Sequence, residues 1–169
     1  MQNLFLIGPM GSGKTSIGRQ LAERMGLEFF DSDKEIENRT GVDIALIFEI
    51  EGEEGFRQRE EKMIEELALK SDCVIATGGG VILAEKSRAC LKANGRVVYL
   101  KSSAANLHER TIKDKRRPLL NTEDRFMTIK DILKVRGPIY EDVADIIVST
   151  DDKTIKQIIE TIVKKVEEA

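Results

Sequence analysis

The segment GPMGSGKT at residues 8–15 constrains this chain most, because it matches the phosphate-binding pattern G-x-x-x-x-G-K-[ST]. It directly follows the apolar run at residues 4–7 and precedes a helical pattern. A strand that ends in glycines lets backbone N–H groups curl around a phosphate, and the next helix points its unpaired N-terminal donors at the same anion. We therefore expect Lys14 to reach the terminal phosphates of a nucleotide and the Thr15 hydroxyl to bind Mg2+.

Short apolar runs alternate with helical patterns along the chain. The predicted strands are 4–7, 27–30, 73–76, 97–100 and 146–148. Strands that are separated by helices imply a parallel sheet with right-handed crossovers. The predicted helices are 15–25, 34–39, 53–69, 84–92, 104–110 and 129–140, followed by a last helix with an apolar face between Ile155 and Val166. A chain of 169 residues with this pattern is expected to be one α/β domain.

Composition excludes several function classes. The net charge of −3 argues against a nucleic-acid surface. No run of about 18 apolar residues is present, and the chain opens on a strand pattern rather than a signal peptide. Cys73 and Cys90 have no metal or redox spacing, so two buried thiols in a reducing compartment are expected. The sequence thus predicts a cytoplasmic protein that binds neither nucleic acid nor membrane.

Two carboxylates follow the second predicted strand. Asp31 and Asp33 would lie beside the phosphate loop, because ligands bind at the carboxyl ends of parallel strands. Two residues apart on an extended segment, they would point the same way. One could orient hydrated Mg2+ while the other takes up a proton from an acceptor hydroxyl. Alternatively, Asp33 is the N-cap of the helix that begins at Lys34.

Three glycines, Gly78, Gly79 and Gly80, follow the third predicted strand. They remove every side chain where the strand meets the site, so the backbone can approach a ligand and donate N–H groups to it. A plain flexible turn is the alternative, because Gly-Gly turns are common. This strand has no terminal acid to serve as a metal residue, which leaves Asp31 as the better candidate.

Two arginines could recognise a carboxylate in bidentate fashion. Arg57 lies next to Phe56 in an acidic helical segment, and the alternative is a solvated face with acidic and basic neighbours. Arg136 lies beside a Gly-Pro break, and its alternative is ordinary surface charge on a helix.

The segment 111–128 lacks clear periodicity and contains a basic cluster that includes Arg117. Long aperiodic insertions in compact domains are usually functional or mobile. In a phosphoryl-transfer enzyme, a loop carrying arginine can close over the nucleotide, exclude water and neutralise charge. An ordinary charged loop is the alternative.

Taken in order, six motifs resemble those of the shikimate kinase family. They are GxxGxGKT at 8–15, Asp-Ser-Asp at 31–33, Phe-Arg-x-x-Glu at 56–60, Gly-Gly-Gly at 78–80, Arg-Pro-Leu-Leu at 117–120 and Arg-x-Pro-x-Tyr at 136–140. The resemblance covers essentially the whole chain. It implies a P-loop fold like that of the nucleoside monophosphate kinases, with three α/β/α layers and a five-stranded parallel sheet in the order 2-3-1-4-5. Within one domain it implies a substrate-binding region at about 31–60 and a lid at about 111–124.

The resemblance also implies an activity, in which the γ-phosphoryl group of MgATP moves to the 3-hydroxyl of shikimate in aromatic amino-acid biosynthesis. Catalysis would depend on Lys14, Asp33 and Arg117. ATP would contact Gly11, Ser12, Gly13, Lys14, Thr15, Ser16, Arg110 at the adenine, Arg117 and Lys153, whose surrounding loop matches the family poorly. Shikimate would contact Asp33, Arg57, Gly78, Gly79, Gly80 and Arg136. Mg2+ would be bound through Thr15 and the water shell held by Asp31.

Other functions stay open at this stage. A small-metabolite kinase of the same fold, such as a gluconate-type kinase, would share the phosphate loop. A nucleotide-dependent switch without acceptor chemistry would need neither Asp33 nor Arg136. The expected partners are shikimate and ATP, and the expected oligomeric state is a monomer.

Overall fold

The computed structural model describes residues 2–112, 120 and 124–169. Its sheet has five parallel strands in the order β2-β3-β1-β4-β5, which confirms the predicted fold class. The strands are β1 (Asn3–Ile7), β2 (Glu28–Asp31), β3 (Cys73–Ala76), β4 (Gly95–Lys101) and β5 (Ile146–Ser149). The central strand β1 carries the phosphate loop at its carboxyl end, so the loop opens between β3 and β4.

Seven helices connect and cover the strands in the described part of the chain. They are α1 (Lys14–Met25), α2 (Ser32–Thr40), α3 (Ile44–Ala68), α4 (Glu85–Asn94), α5 (Ala104–Thr111), α6 (Arg125–Val143) and α7 (Ile155–Glu168). A short 3-10 helix, Val81–Leu83, precedes α4. None of these helices, within the ranges that are described, is both long and apolar enough to cross a bilayer.

Two apolar cores lie on opposite faces of the sheet. Side chains alternate along a strand, so Phe5 and Ile7 join the core that packs on α3, α4 and α6. Leu4 and Leu6 join the other core, formed with α1 and α7. All five residues of β1 are buried, as expected for a central parallel strand that is covered on both faces.

Helices α3 and α6 differ most in length from the sequence prediction. Helix α3 begins at Ile44 rather than residue 53, because Asp43 caps it by accepting a hydrogen bond from the Leu46 amide. Gly52 inside it is non-helical, with φ 73° and ψ 178°, and this break interrupts the helical periodicity of the sequence between the two parts of α3. Helix α6 likewise begins at Arg125 rather than 129 and continues past Pro138 to Val143.

The predicted lid at 111–124 lies mostly outside the described residues, and so does Arg117. Its flanks are described: Thr111 ends α5, and Asp124 caps α6 by accepting a hydrogen bond from the Met127 amide. Leu120 is buried against Leu107 and Ile129.

Candidate active site

The phosphate loop needs glycine at three positions. Gly11 and Gly13, the N-cap of α1, have positive φ angles of 83° and 92°, which favour glycine. A Cβ on Gly8, where φ is 150°, would lie 2.8 Å from the Leu100 carbonyl oxygen. The loop is thus shaped by close backbone contact with β4 as well as by its own turn.

Lys14 is buried inside this loop. Its Nζ donates to the carbonyl oxygens of Gly8 at 2.7 Å and Pro9 at 2.9 Å. Ser12 is buried as well, and its hydroxyl has no hydrogen-bond partner among the described residues, whereas Ser16 is exposed. The loop therefore holds a cation and a polar group where a phosphate is expected to bind.

Asp31 joins the phosphate loop to α2. Its Oδ2 accepts from the Thr15 hydroxyl at 2.6 Å, and its Oδ1 accepts from the Lys34 amide at 3.1 Å. The alternative of Asp33 as the N-cap is therefore wrong, because Asp31 caps a helix that already begins at Ser32. The prediction that Asp31 and Asp33 lie on one extended segment is also wrong, because Asp33 is in the first turn of α2. Both carboxylates nevertheless line one cavity.

The Thr15–Asp31 pair offers neighbouring oxygen atoms, which are the ligands that Mg2+ prefers. No group of three or more acidic, histidine or cysteine side chains gathers in the described ranges to hold a metal on its own. These two residues therefore fit a hydrated ion that arrives with a nucleotide, because Mg2+ usually keeps several waters and binds through one or two protein oxygens plus phosphates.

A cavity of about 290 Å3 opens beside the loop, at the carboxyl ends of β2 and β3. It contains most of the residues predicted to bind substrate. Its walls are formed by Met10, Asp31, Asp33, Lys34, Glu37, Asp43, Ile44, Ala45, Phe48, Phe56, Arg57, Glu60, Gly78, Gly79, Gly80 and Arg136. One wall is apolar and comes from the first part of α3, which the sequence pattern did not predict as helix.

Asp33 is half-buried in this cavity, and its buried Oδ1 has no hydrogen-bond partner within the described residues. Burial raises the pKa of Asp33 to about 7, and the negative charges of Glu60 and Asp31 act in the same direction. Lys14 and Arg57 oppose this increase. A carboxyl group with a pKa near neutrality is suited to accept a proton at physiological pH.

Arg57 points inward, so its interpretation as part of a solvated face is wrong. Its side chain is 18% exposed, and it donates to Glu60 at 2.9 Å and to Glu53 at 3.3 Å. Its guanidinium carbon also lies 5.2 Å from the centre of the Phe56 ring. These contacts hold the guanidinium at the cavity wall.

Glu60 was missed by sequence reasoning as a functional residue. Only 2% of it is exposed, burial raises its pKa, and its Oε2 has no hydrogen-bond partner in the described part of the chain. The Phe-Arg-x-x-Glu spacing contained the signal, because residues three apart on a helix share a face and Arg57 pointed inward.

The glycine triplet is crowded, so the alternative of a plain flexible turn is wrong. A Cβ on Gly78 would lie 2.4 Å from Glu60 Oε2 and 2.9 Å from Asp33 Oδ1. A Cβ on Gly80 would lie 2.4 Å from an Arg57 nitrogen, and one on Gly79 would lie 3.3 Å from the Met10 amide nitrogen. The missing side chains leave room for the charged groups of the cavity.

Arg136 is also buried, with 6% exposure, so the surface-charge alternative is wrong. One of its terminal nitrogens, Nη1, has no hydrogen-bond partner among the residues described. The same nitrogen would lie 3.7 Å from a Cβ on Gly79. The structure thus brings Arg57, Arg136 and the glycine triplet to one cavity, as the sequence predicted.

The predicted nucleotide side lies across the phosphate loop from this cavity. Arg110 donates to the Gly11 carbonyl at 3.3 Å and to the Thr150 hydroxyl at 3.5 Å, which places it between the loop and the end of β5. Lys153 is exposed in the segment that follows β5. The arrangement therefore separates a phosphate-binding loop from a small cavity that contains both acid and guanidinium groups.

Known proteins resemble this chain in sequence and in fold. The shikimate kinase family model matches residues 10–167. Shikimate kinase from Colwellia psychrerythraea is 52% identical over 167 residues, which cover 98% of this chain and 97% of the relative. The structure of shikimate kinase from Acinetobacter baumannii in complex with shikimate is 43% identical, with a TM-score of 0.97, and covers 99% of this chain and 94% of that chain. This chain belongs to the shikimate kinase family.

Proposed function

We propose that this chain is a shikimate kinase, which transfers the γ-phosphoryl group of ATP to the 3-hydroxyl of shikimate and releases ADP. One observation carries the assignment. Beside a phosphate loop, the cavity combines two inward guanidinium groups, Arg57 and Arg136, with the carboxyl group of Asp33, whose Oδ1 is buried. A hydroxylated carboxylic acid of modest size matches this set of groups. A gluconate-type kinase or a nucleotide switch is not favoured, because family membership and this cavity both point to shikimate.

In the proposed reaction, Asp33 takes the proton from the shikimate 3-hydroxyl. The oxygen then bonds to the γ-phosphorus while the bond from that phosphorus to the bridging oxygen of ADP breaks. Lys14 would turn its ammonium group from the loop carbonyls to the transferring phosphate, where charge develops. Catalysis would be mostly positioning and charge stabilisation.

The carboxylate of shikimate would bind at the Arg57–Arg136 end of the cavity, with backbone groups of Gly78, Gly79 and Gly80. Arg57 Nε and Arg136 Nη1 are buried and have no hydrogen-bond partner among the residues that the structure describes. This supports the role, because their lost hydration is not compensated until an anion binds. Glu60 would hold the Arg57 guanidinium in place through the hydrogen bond that it accepts from Arg57.

ATP would bind along the phosphate loop through Gly11, Ser12, Gly13, Lys14, Thr15 and Ser16. Its Mg2+ would enter with the nucleotide, bound by the Thr15 hydroxyl and, through water, by Asp31. Arg110 supports an adenine position between the loop and β5. Contacts from Lys153 and from Arg117, which is outside the described residues, stay predictions.

We further propose that the chain works as one monomeric kinase domain in the cytoplasm. Its substrate-binding region would be residues 31–60 and its lid residues 111–124. Cys73 and Cys90 are both free thiols, which supports a reducing compartment.

A coupled assay for ADP release tests the assignment. Shikimate, quinate, gluconate, nucleoside monophosphates and shikimate methyl ester would each be offered with MgATP. We expect rapid turnover of shikimate alone, with the ester poor because it lacks the negative charge that the arginines bind. ATP hydrolysis that is indifferent to shikimate, or turnover of the ester at the same rate, would refute the proposed function.

A further inference from the structure

The Tyr140 hydroxyl lies at the junction between two groups of the proposed carboxylate site. Tyr140 is fully buried on α6, four residues after Arg136, so both side chains lie on one face of the helix. The hydroxyl donates a hydrogen bond to the carbonyl oxygen of Gly79. The Arg136 guanidinium interacts with the same hydroxyl.

The Tyr140 ring is held rigidly, so its oxygen has little freedom to move. It stacks on Tyr99 of β4 with ring centres 5.0 Å apart and an angle of 27° between the rings. Burial raises the pKa of the Tyr140 phenol well above its ordinary value, so the group remains a protonated donor throughout the physiological range.

Resting on the proposed function, we infer that the Tyr140 hydroxyl is a positioning group for the carboxylate end of the substrate. Its oxygen joins the Gly79 carbonyl, and hence the turn of the glycine triplet, to the Arg136 guanidinium. A donor to the carbonyl and an acceptor for the guanidinium are both needed, and a single phenol supplies both. Tyr140 does not contact the reacting atoms in this role, so it acts through Arg136 and Gly79.

The substitution Tyr140→Phe tests this inference, because it removes the oxygen and keeps the stacked ring. We expect the Kd and KM for shikimate to rise about tenfold, as for a lost hydrogen bond to a charged group. The Kd for ADP and kcat at saturating shikimate should stay within about twofold, because the phosphate loop is held by its own contacts.

Tyr99→Phe is the matched control. It makes the same chemical change on the other ring of the stack, whose hydroxyl does not donate to Gly79. We expect wild-type affinity for shikimate in this variant. Equal effects in the two variants, or loss of ADP binding together with shikimate binding in Tyr140→Phe, would show a purely structural hydroxyl and overturn the inference.

Shikimate methyl ester separates this inference from the proposed function. If Tyr140 acts on the carboxylate site, Tyr140→Phe should weaken binding of the ester much less than binding of shikimate. An equal loss for both ligands would contradict the positioning role while leaving the kinase assignment intact. A wild-type protein that does not phosphorylate shikimate would instead refute the proposed function.

Discussion

At the scale of single residues, the ionised form of Asp33 that the proposed reaction needs is also the form that destabilises the fold. Its pKa of about 7 in the fold, against an ordinary value of 3.8, means that the folded state binds a proton more tightly than the unfolded chain. Stability is therefore lost as the pH rises from about 4 to 7, and above that range the buried charge opposes folding fully. The proposed base is active in the same ionised form that destabilises the fold.

Asp33→Asn is expected to lower turnover by about a hundred- to ten-thousandfold and to raise Tm at pH 8. The amide cannot take up a proton, and it removes a buried charge worth on the order of 2 to 4 kcal/mol in this environment. For a domain of this size, each kcal/mol corresponds to about 2–4 °C. The helix cap is untouched, because Asp31 supplies it. Melting curves at pH 5 and pH 8 measure the difference, which should be small at pH 5.

Wild-type kcat/KM should fall about tenfold for each pH unit below 7, as Asp33 becomes protonated. The residual activity of Asp33→Asn serves as the control, and it should lack this inflection. Near-normal turnover in the variant, or an unchanged inflection, would leave Asp33 without the proposed role.

Gly80→Ala is expected to raise the KM for shikimate about ten- to a hundredfold without unfolding the protein. Its Cβ would lie 2.4 Å from an Arg57 nitrogen, and the guanidinium would have to move. The backbone accepts alanine there, because φ is −96°. Gly137→Ala is the control: its Cβ would meet no atom of the described residues within 4 Å, so activity should persist. Steady-state kinetics compare the two, and unchanged KM in both would contradict a guanidinium fixed beside the triplet.

The limits of sequence reasoning are visible at these residues. Asp33, Arg57 and Arg136 belong to three of the sequence motifs, and all three line one cavity in the structure. Glu60 and Tyr140 belong to the same motifs, but the motifs do not predict a role for them, because a pattern gives spacing along the chain but not what a buried oxygen faces. Only the packing of α3 and α6 against the glycine triplet reveals those contacts.

At the scale of elements, the break at Gly52 divides α3 into two parts with different tasks. The part before it supplies Ile44, Ala45 and Phe48 to the cavity wall, and the part after it supplies Arg57 and Glu60. A bidentate pair between Arg59 and Glu51, at 2.6 and 3.1 Å, spans the break.

Gly52→Ala should lower the free energy of unfolding by about 1–3 kcal/mol, because φ 73° with ψ 178° is unfavourable for any residue with a Cβ. It should also raise the KM for shikimate, since the wall would shift. Gly26→Ala, at the left-handed end of α1, is the control that should lose stability without affecting shikimate. Denaturant unfolding and kinetics measure the two effects. Unchanged KM for shikimate in Gly52→Ala would show that the break does not set the wall.

The presence of each strand was easier to predict from the sequence than the first and last residues of each helix. All five strands could be read from apolar runs, since buried parallel strands are apolar on both faces. The beginning of α3 could not be read in this way, because Gly52 and the surrounding acidic residues interrupt its apolar pattern. This first part of α3 is stabilised by its N-cap and by packing against α2.

At the scale of the whole molecule, binding of shikimate should stabilise the folded state. Several buried polar atoms of the cavity lack partners in the described chain: Asp33 Oδ1, Arg57 Nε, Glu60 Oε2 and Arg136 Nη1. A ligand that pairs with them stabilises the folded state by mass action, by about 2.7 kcal/mol at a hundred times its Kd.

We therefore expect shikimate alone to raise Tm by about 5–10 °C at that concentration. Arg136→Ala should remove most of this increase and leave the increase caused by MgADP intact. Differential scanning fluorimetry measures both. A shikimate-induced increase that persists in Arg136→Ala would place the ligand elsewhere.

The unpartnered atoms of the cavity also have a consequence for the living cell. Proteases degrade the unfolded fraction of a protein, and a difference of 1–2 kcal/mol can change abundance several-fold. When the supply of shikimate stops, more of this chain would be open to degradation, and when supply returns, the chain would be protected. The amount of enzyme would then follow the availability of its substrate without any change in transcription.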